Sequence, residues 1–174
     1  MLLDSQRAAE ALVAFESVMG AQPDNAELFN NRGVALWLLK RPAEALASFE
    51  RTLAIEAHFA EAWGNRGLAL RDLARYDEAL ASFDMLLTLT PRDPAAWNNR
   101  GNVLRDMRRL DDAIDSYGKA LAIRPDYVDA VSNRGNLWWT EKREYEPAIA
   151  DLRRVLLLDP EHPYSQGELL HLNM

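Results

Sequence analysis

Cysteine is absent from the 174 residues, which excludes disulfides and thiolate metal sites and fits a reducing compartment. Basic residues are in deficit: 20 Lys and Arg stand against 27 Asp and Glu, for a formal charge of -7 and a pI near 5.0. That balance leaves no basic face of the kind that binds nucleic acid, so neither RNA nor DNA is an expected partner. No apolar run is long enough to cross a bilayer, and the stretch from Met1 to Arg7 has no basic segment leading into an apolar core. A cytoplasmic protein with no membrane partner is the expectation. Reactive constellations are missing as well. His58, His162 and His171 lack metal-ligand spacing, no glycine-rich loop ends in Lys-Ser/Thr, and no serine sits in a nucleophile-elbow context. Its carboxylates are scattered as on solvated helix faces. The chain is therefore expected to be no enzyme and to hold no cofactor or metal, which leaves room only for the non-catalytic part of a larger enzyme.

What the chain does have is a repeat. Asn31-Arg32-Gly33, Asn65-Arg66-Gly67, Asn99-Arg100-Gly101 and Asn133-Arg134-Gly135 follow one another at intervals of 34 residues. A fixed period of this size means stacked supersecondary units, none able to bury its apolar face alone. The other positions lock to the same tripeptide. Phe29, Trp63, Trp97 or Val131 lies four residues before each glycine, and Leu36, Leu70, Leu104 or Trp138 three after it. Bulky groups thus flank a small one on one helical face. Ala45, Ala79 and Ala113 come twelve residues beyond the glycine, each followed four later by Phe49, Phe83 or Tyr117. These define a second helix whose small residues let the two axes approach.

Helix pairs carrying Trp, Gly, Ala and Phe or Tyr, separated by prolines such as Pro91, Pro125 and Pro160, resemble the tetratricopeptide repeat. The resemblance runs from Ala11, Phe15 and Pro23 to Pro160. It implies an all-α fold: a right-handed superhelical solenoid of antiparallel helix pairs. There are departures. Ala57 stands where a proline is usual, arginine stands beside each glycine where the family favours leucine, and Ala148 lies 13 rather than 12 residues past its glycine, an extra residue expected in the turn.

In chain order the reading is a half repeat over 1–25, a second helix without its first, that serves as a cap or marks a boundary within a longer solenoid. Four repeats follow over 26–59, 60–93, 94–127 and 128–162. First helices are expected near 26–39, 60–73, 94–107 and 128–141, and second helices near 43–56, 77–90, 111–124 and 145–158. Short turns such as Lys40-Arg41-Pro42 make partners antiparallel. Asp77 and Asp111 are expected to cap second helices, and Glu44, Glu78 and Asp112 to favour their positive ends. Residues 163–174 would begin a capping helix or a further unit.

With Phe29, Gly33 and Leu36 turned toward the partner helix, helical spacing sends Asn30, Asn31, Val34 and Trp37 to the opposite side. The same holds for Asn65 and Arg71, for Asn98, Asn99, Asn102 and Arg105, and for Asn133, Asn136 and Trp139. First helices line the inner surface of tetratricopeptide arrays, so the resemblance implies a groove with an asparagine on every repeat. Asn31, Asn65, Asn99 and Asn133 each offer an amide donor and acceptor, the two groups a peptide unit also carries. Such a ladder would hold an extended peptide segment and serve binding rather than folding, with Asn102, Asn136, Arg71 and Arg105 beside it and Trp37 and Trp139 as anchors. The alternative is that the asparagines bond locally or mark a recent duplication. Arg32, Arg66, Arg100 and Arg134, next to the packed face, are expected to reach carboxylates on a neighbouring helix; Trp63 and Trp97 are expected in the core.

A carboxylate clamp of the chaperone-adaptor kind fits poorly, because Glu27, Glu61, Ala95 and Asp129 occupy the places that would need lysine or arginine. The asparagine-lined groove is similar to the solenoid of O-GlcNAc transferase and its bacterial relatives, and the stretch from Pro163-Tyr164 to His171 resembles its join to the transferase region. This resemblance implies a substrate-presenting arm. A self-assembling scaffold, with chains joined through their ends as a homo-oligomer, is the other reading.

Overall fold

The computed structural model describes residues 2–161, so the expected capping segment 163–174 and the join from Pro163 to His171 lie outside the described residues. The described chain is all-α, with helices α1 Leu2–Met19, α2 Ala26–Leu38, α3 Pro42–Ile55, α4 Ala60–Asp72, α5 Tyr76–Leu89, α6 Pro94–Asp106, α7 Leu110–Ile123, α8 Val128–Asn136 and α9 Tyr145–Leu158. A π-helical segment, Leu137–Lys142, continues α8. Two compact units divide at Pro91/Arg92. In the first, α1 to α5 each pack on the helix before and after, and α2 also touches α4. In the second, α6 to α9 do the same and α6 touches α8.

Local chemistry explains where the helices start and stop. The Asn25 side chain accepts from the Leu28 N–H at 3.0 Å, and Asp93 from the Ala95 N–H at 2.8 Å with Pro94 opening α6, so these first helices have side-chain caps. Second helices do not. Their N-caps are Arg41, Arg75 and Arg109, with no side-chain cap bond, and Asp77 and Asp111 fall inside the first turn instead of capping it. The arginines reach forward: Arg41 Nε donates to Glu44 at 2.6 Å, Arg75 Nε to Glu78 at 2.7 Å and Arg109 Nε to Asp112 at 2.9 Å. Those bonds hold the Glu44 and Glu78 carboxyls below the usual carboxylate range. The short turns rest on a left-handed residue, Lys40, Ala74 and Arg108, at φ of 60°, 57° and 63°. Each closes its first helix with two bonds, as when Lys40 N–H meets Trp37 O and Arg41 N–H meets Leu36 O.

Pairing within a repeat is glycine against ring. Gly33 lies under Phe49, a Cβ on Gly67 would fall 2.8 Å from the Phe83 ring, and one on Gly101 would fall 2.6 Å from Tyr117. No side chain fits between, so the axes approach as closely as the spacing predicts. In the fourth repeat Leu152 replaces the ring, and Gly135 meets Asp151 Cβ and Leu152 instead.

Three expectations need correction. Trp63 and Trp97 are half-buried rather than fully enclosed: Trp97 packs against the core at Ala120, Leu121 and Val131, while Arg66 lies 5.8 Å from the Trp63 ring centre and Arg100 and Lys119 lie 5.7 and 4.8 Å from that of Trp97. In the second and third repeats the fully buried positions are one residue earlier, at Ala62 and Ala96, whereas in the fourth both Ala130 and Val131 are fully buried. Trp138 does not continue the Leu36, Leu70, Leu104 series; Leu137 is buried and Trp138 only half so. Finally, the extra residue of the fourth repeat sits in the helix, as the π segment, and the turn keeps its left-handed residue at Arg143.

Candidate peptide-binding face

Asn31, Asn65, Asn99 and Asn133 are half-buried on α2, α4, α6 and α8, at equivalent places two residues before each glycine. Their surroundings alternate. Asn65 Nδ2 donates at 3.1 Å to Oδ1 of Asn30 on the preceding first helix, and Asn133 Nδ2 donates at 3.0 Å to Oδ1 of Asn98. Asn30 also donates to Glu61 at 3.0 Å. Asn30 and Asn98, expected on the open side, are 1% and 4% exposed and act as struts between successive repeats. They are the residues that sequence reasoning misplaced. A signal existed: the Asn-Asn doublet occurs at 30–31 and 98–99, while Gly64 and Ser132 fill that position in the other two repeats. The amides of Asn31 and Asn99 make no hydrogen bond within their own units.

The flanking residues are also placed by partners. Trp37 donates its indole N–H to Asp72 at 2.7 Å, joining α2 to α4 and leaving the ring half-buried. Asn102 accepts from the Tyr117 hydroxyl at 2.9 Å, so its carbonyl is occupied from inside its own repeat. Arg105 pairs with Asp106 at 3.4 Å, and Arg71 is half-buried on α4. Asn136 is half-buried at the end of α8, where its backbone carbonyl accepts from Thr140. Trp139 stacks edge-on to Tyr145 with ring centres 5.1 Å apart. Trp37, Asn65 and Arg71 therefore belong to one unit's face, and Asn99, Asn102, Asn133 and Trp139 to the other's.

The arginine of each tripeptide works behind this face. Arg32 donates to Ser48 at 2.7 Å and Arg66 to Ser82 at 2.6 Å, and each reaches back to the preceding second helix, Arg32 to Glu16 at 3.0 Å and Arg66 to Glu50 at 3.4 Å. Arg100 meets Ser116 at 2.9 Å. In the fourth repeat the serine is replaced by Asp151, which Arg134 grips through both oxygens at 2.7 and 2.8 Å. These groups have structural partners within the repeats. No cluster able to hold a metal occurs among the described residues, and no helix among them is long and apolar enough to cross a membrane.

Comparison with known proteins agrees with this architecture. Among solved structures, MamA from Desulfovibrio magneticus RS-1 superposes with a TM-score of 0.83 at 21% identity, over 91% of this chain and 93% of that one. YrrB, described as a TPR protein with an unusual peptide-binding site, gives 0.77 at 20% identity over 94% and 84%. PilF of Pseudomonas aeruginosa gives 0.81 at 21% identity over 94% and 74%. At such identities the likeness is one of fold. No curated protein gives a significant match in sequence. Residues 2–58, 60–93 and 94–127 each match a tetratricopeptide repeat family. With residues 2–127 matched in succession and the helix pairs of the first three full repeats closed ring against glycine, the chain belongs to the tetratricopeptide repeat family.

Proposed function

We propose that this protein is an interaction module that holds an extended peptide segment against the exposed face of its first helices. The observation that carries the reading is the state of the asparagine amides. All four are half-exposed, and two are held from behind by Asn30 and Asn98. An amide fixed through one N–H keeps its carbonyl and its second N–H for a partner and loses little freedom when it binds. Peptide backbone is the matching chemistry, since it presents a donor and an acceptor at every residue. The peptide-binding description of YrrB, which shares the fold, points the same way.

Charges on the first helices set the preference. With the tripeptide arginines turned to Ser48, Ser82, Ser116 and Asp151 behind the face, Glu27, Glu61, Asp72, Asp106 and Asp129 outnumber the remaining Arg71 and Arg105. The favoured ligand is then neutral to mildly basic, with an apolar or aromatic group for Trp37 or Trp139. A peptide array probed at low and high salt tests this. Neutral and mildly basic peptides should lead, with shallow salt dependence. A win for strongly acidic peptides that vanishes in salt would assign recognition to the arginines and overturn the amide reading.

A further inference from the structure

The 34-residue repeat carries a longer one inside it. At the starts of the first helices and along the asparagine row, residues 68 apart agree where residues 34 apart differ. α2 and α6 begin on Asn25 and Asp93, whose side chains cap the first turn, whereas α4 and α8 begin on the aromatics Phe59 and Tyr127 with no side-chain cap bond. Beside the row, Asn30 and Asn98 are buried struts, while Gly64 and Ser132 take that place in the alternate repeats. The chain divides on the same period: the unit ending at Pro91 carries α2 to α5, and the unit beginning at Arg92 carries α6 to α9.

Each unit therefore holds its own copy of one two-amide arrangement. α2 touches α4, and α6 touches α8. On the later helix of each touching pair the amide is fixed through one N–H, Asn65 to Asn30 at 3.1 Å and Asn133 to Asn98 at 3.0 Å. On the earlier helix the half-buried amides of Asn31 and Asn99, each next in sequence to a strut, bond to nothing within their unit. The fixed amide sets register, and the free one turns to meet the backbone offered to it. Together the two present three unused N–H groups and two carbonyls, enough for two peptide units with one donor and one acceptor each. Helices in contact lie about 10 Å apart, a distance that roughly three extended residues cover. Nothing in either set is supplied by the other unit.

We propose that the binding unit is a pair of repeats, so that each chain holds two extended peptide segments: one across α2 and α4 through Asn31 and Asn65, the other across α6 and α8 through Asn99 and Asn133. The proposal rests on the peptide-binding reading above and gives it a stoichiometry.

Titration calorimetry on the full chain counts the sites, with the leading peptide of the array cut to about six residues, roughly 20 Å when extended. Two peptides should bind per chain. Asn31→Ala should weaken one of the two about tenfold and leave the other unchanged, Asn99→Ala should do the reverse, and the double variant should weaken both. Asn31→Ser and Asn99→Ser take their place should an alanine variant lose helical circular dichroism. One peptide per chain, weakened by either substitution, overturns the proposal and leaves the amide reading of the face standing. Two peptides that are both weakened by a single substitution also overturn it. Binding that neither substitution touches, or an array in which no peptide binds, overturns the peptide-binding reading and the proposal together.

Discussion

Gly101→Ala isolates the contact that closes the helix pairs. Two effects oppose each other. Alanine in a helix interior is worth about 0.5–1 kcal/mol over glycine, because the unfolded chain has less freedom to lose. Against that, the added Cβ would lie 2.6 Å from Tyr117 Cε1 and 2.7 Å from Cδ1, closer than carbon atoms can approach. The ring cannot step aside at low cost: Tyr117 is fully buried, and its hydroxyl is anchored on Asn102 at 2.9 Å. Overpacking of this kind costs about 1–3 kcal/mol, and loss of the hydroxyl bond would add about 1. The clash wins, for a net loss of about 1–2 kcal/mol, or roughly 2–8 °C in melting temperature for a chain of this size. Gly135→Ala is the control within the same molecule. There the Cβ meets Asp151 Cβ at 3.1 Å and Leu152 at 3.8 Å, with no ring beneath, so the helix gain should offset most of the strain and leave melting within about 1 kcal/mol of the parent. Thermal denaturation followed by circular dichroism reads both. Gly101→Ala melting at or above the parent, or below it by no more than Gly135→Ala, would refute the assignment of Gly101 to the packed face.

The asparagines should separate by position: Asn65→Ala removes the donor to the Oδ1 of buried Asn30 and should cost about 1–2 kcal/mol in chemical denaturation, whereas Asn99→Ala should leave stability unchanged. Equal losses would show that the Asn30 strut contributes nothing. Arg134→Ala leaves the Asp151 carboxylate, with a side chain 7% exposed, without its bidentate partner, and should cost about 2–3 kcal/mol after allowance for the part-exposed arginine. Arg66→Ala, which loses Ser82 and an exposed glutamate, should cost about 1; denaturant midpoints of the two variants decide the order. Ala74→Gly should raise the melting temperature slightly, since φ of 57° costs alanine about 1 kcal/mol that glycine does not incur. A lower melting point would mean that the turn carries no strain.

Because a 34-residue repeat multiplies each weak local signal by four, the period placed the described helices to within about two residues, except that α8 stops at Asn136 and the expected span to 141 is completed by the π segment. That the glycine lies on the packed face was legible for the same reason, though the ring that covers it was not. Less legible was anything decided by side-chain competition across repeats. Helical spacing places Asn30 and Asn31 on one broad face and cannot tell which is covered by the following first helix; the Asn65 amide decides that, and it turns half of the expected ladder into a structural link as well as a surface. The Tyr117 hydroxyl claims Asn102 in the same way. In sequence that pair shows only as a coincidence, a tyrosine in place of phenylalanine in a repeat where Asn102 replaces Val34 and Leu68.

The fourth repeat shows why a one-residue insertion changes the face more than the fold. Each turn is pinned by two bonds from consecutive N–H groups around the left-handed residue, and a residue added there would break both. Widening one helical turn loses less. The Arg143 and Glu144 N–H groups accordingly both close on Trp138 O, six residues back for Glu144 where Arg41 reaches back five. Beyond the turn, Ala148 returns to its buried place five residues after the left-handed residue, as Ala45 does. The cost is carried by residues inside the wide turn, which lose register with their counterparts. Trp37 sits four residues after its glycine and so does Trp139, but Trp37 is bonded forward to Asp72 on the next first helix while Trp139 lies against Tyr145 of its own repeat. The two tryptophans that sequence spacing presents as equivalent anchors are therefore different devices. One ring is braced by a hydrogen bond and the other is packed against another aromatic. If the proposed face binds peptide, a peptide array should show the preference for aromatic groups lost unequally in Trp37→Ala and Trp139→Ala, because only the first substitution also releases the Asp72 carboxylate; equal losses would refute the distinction.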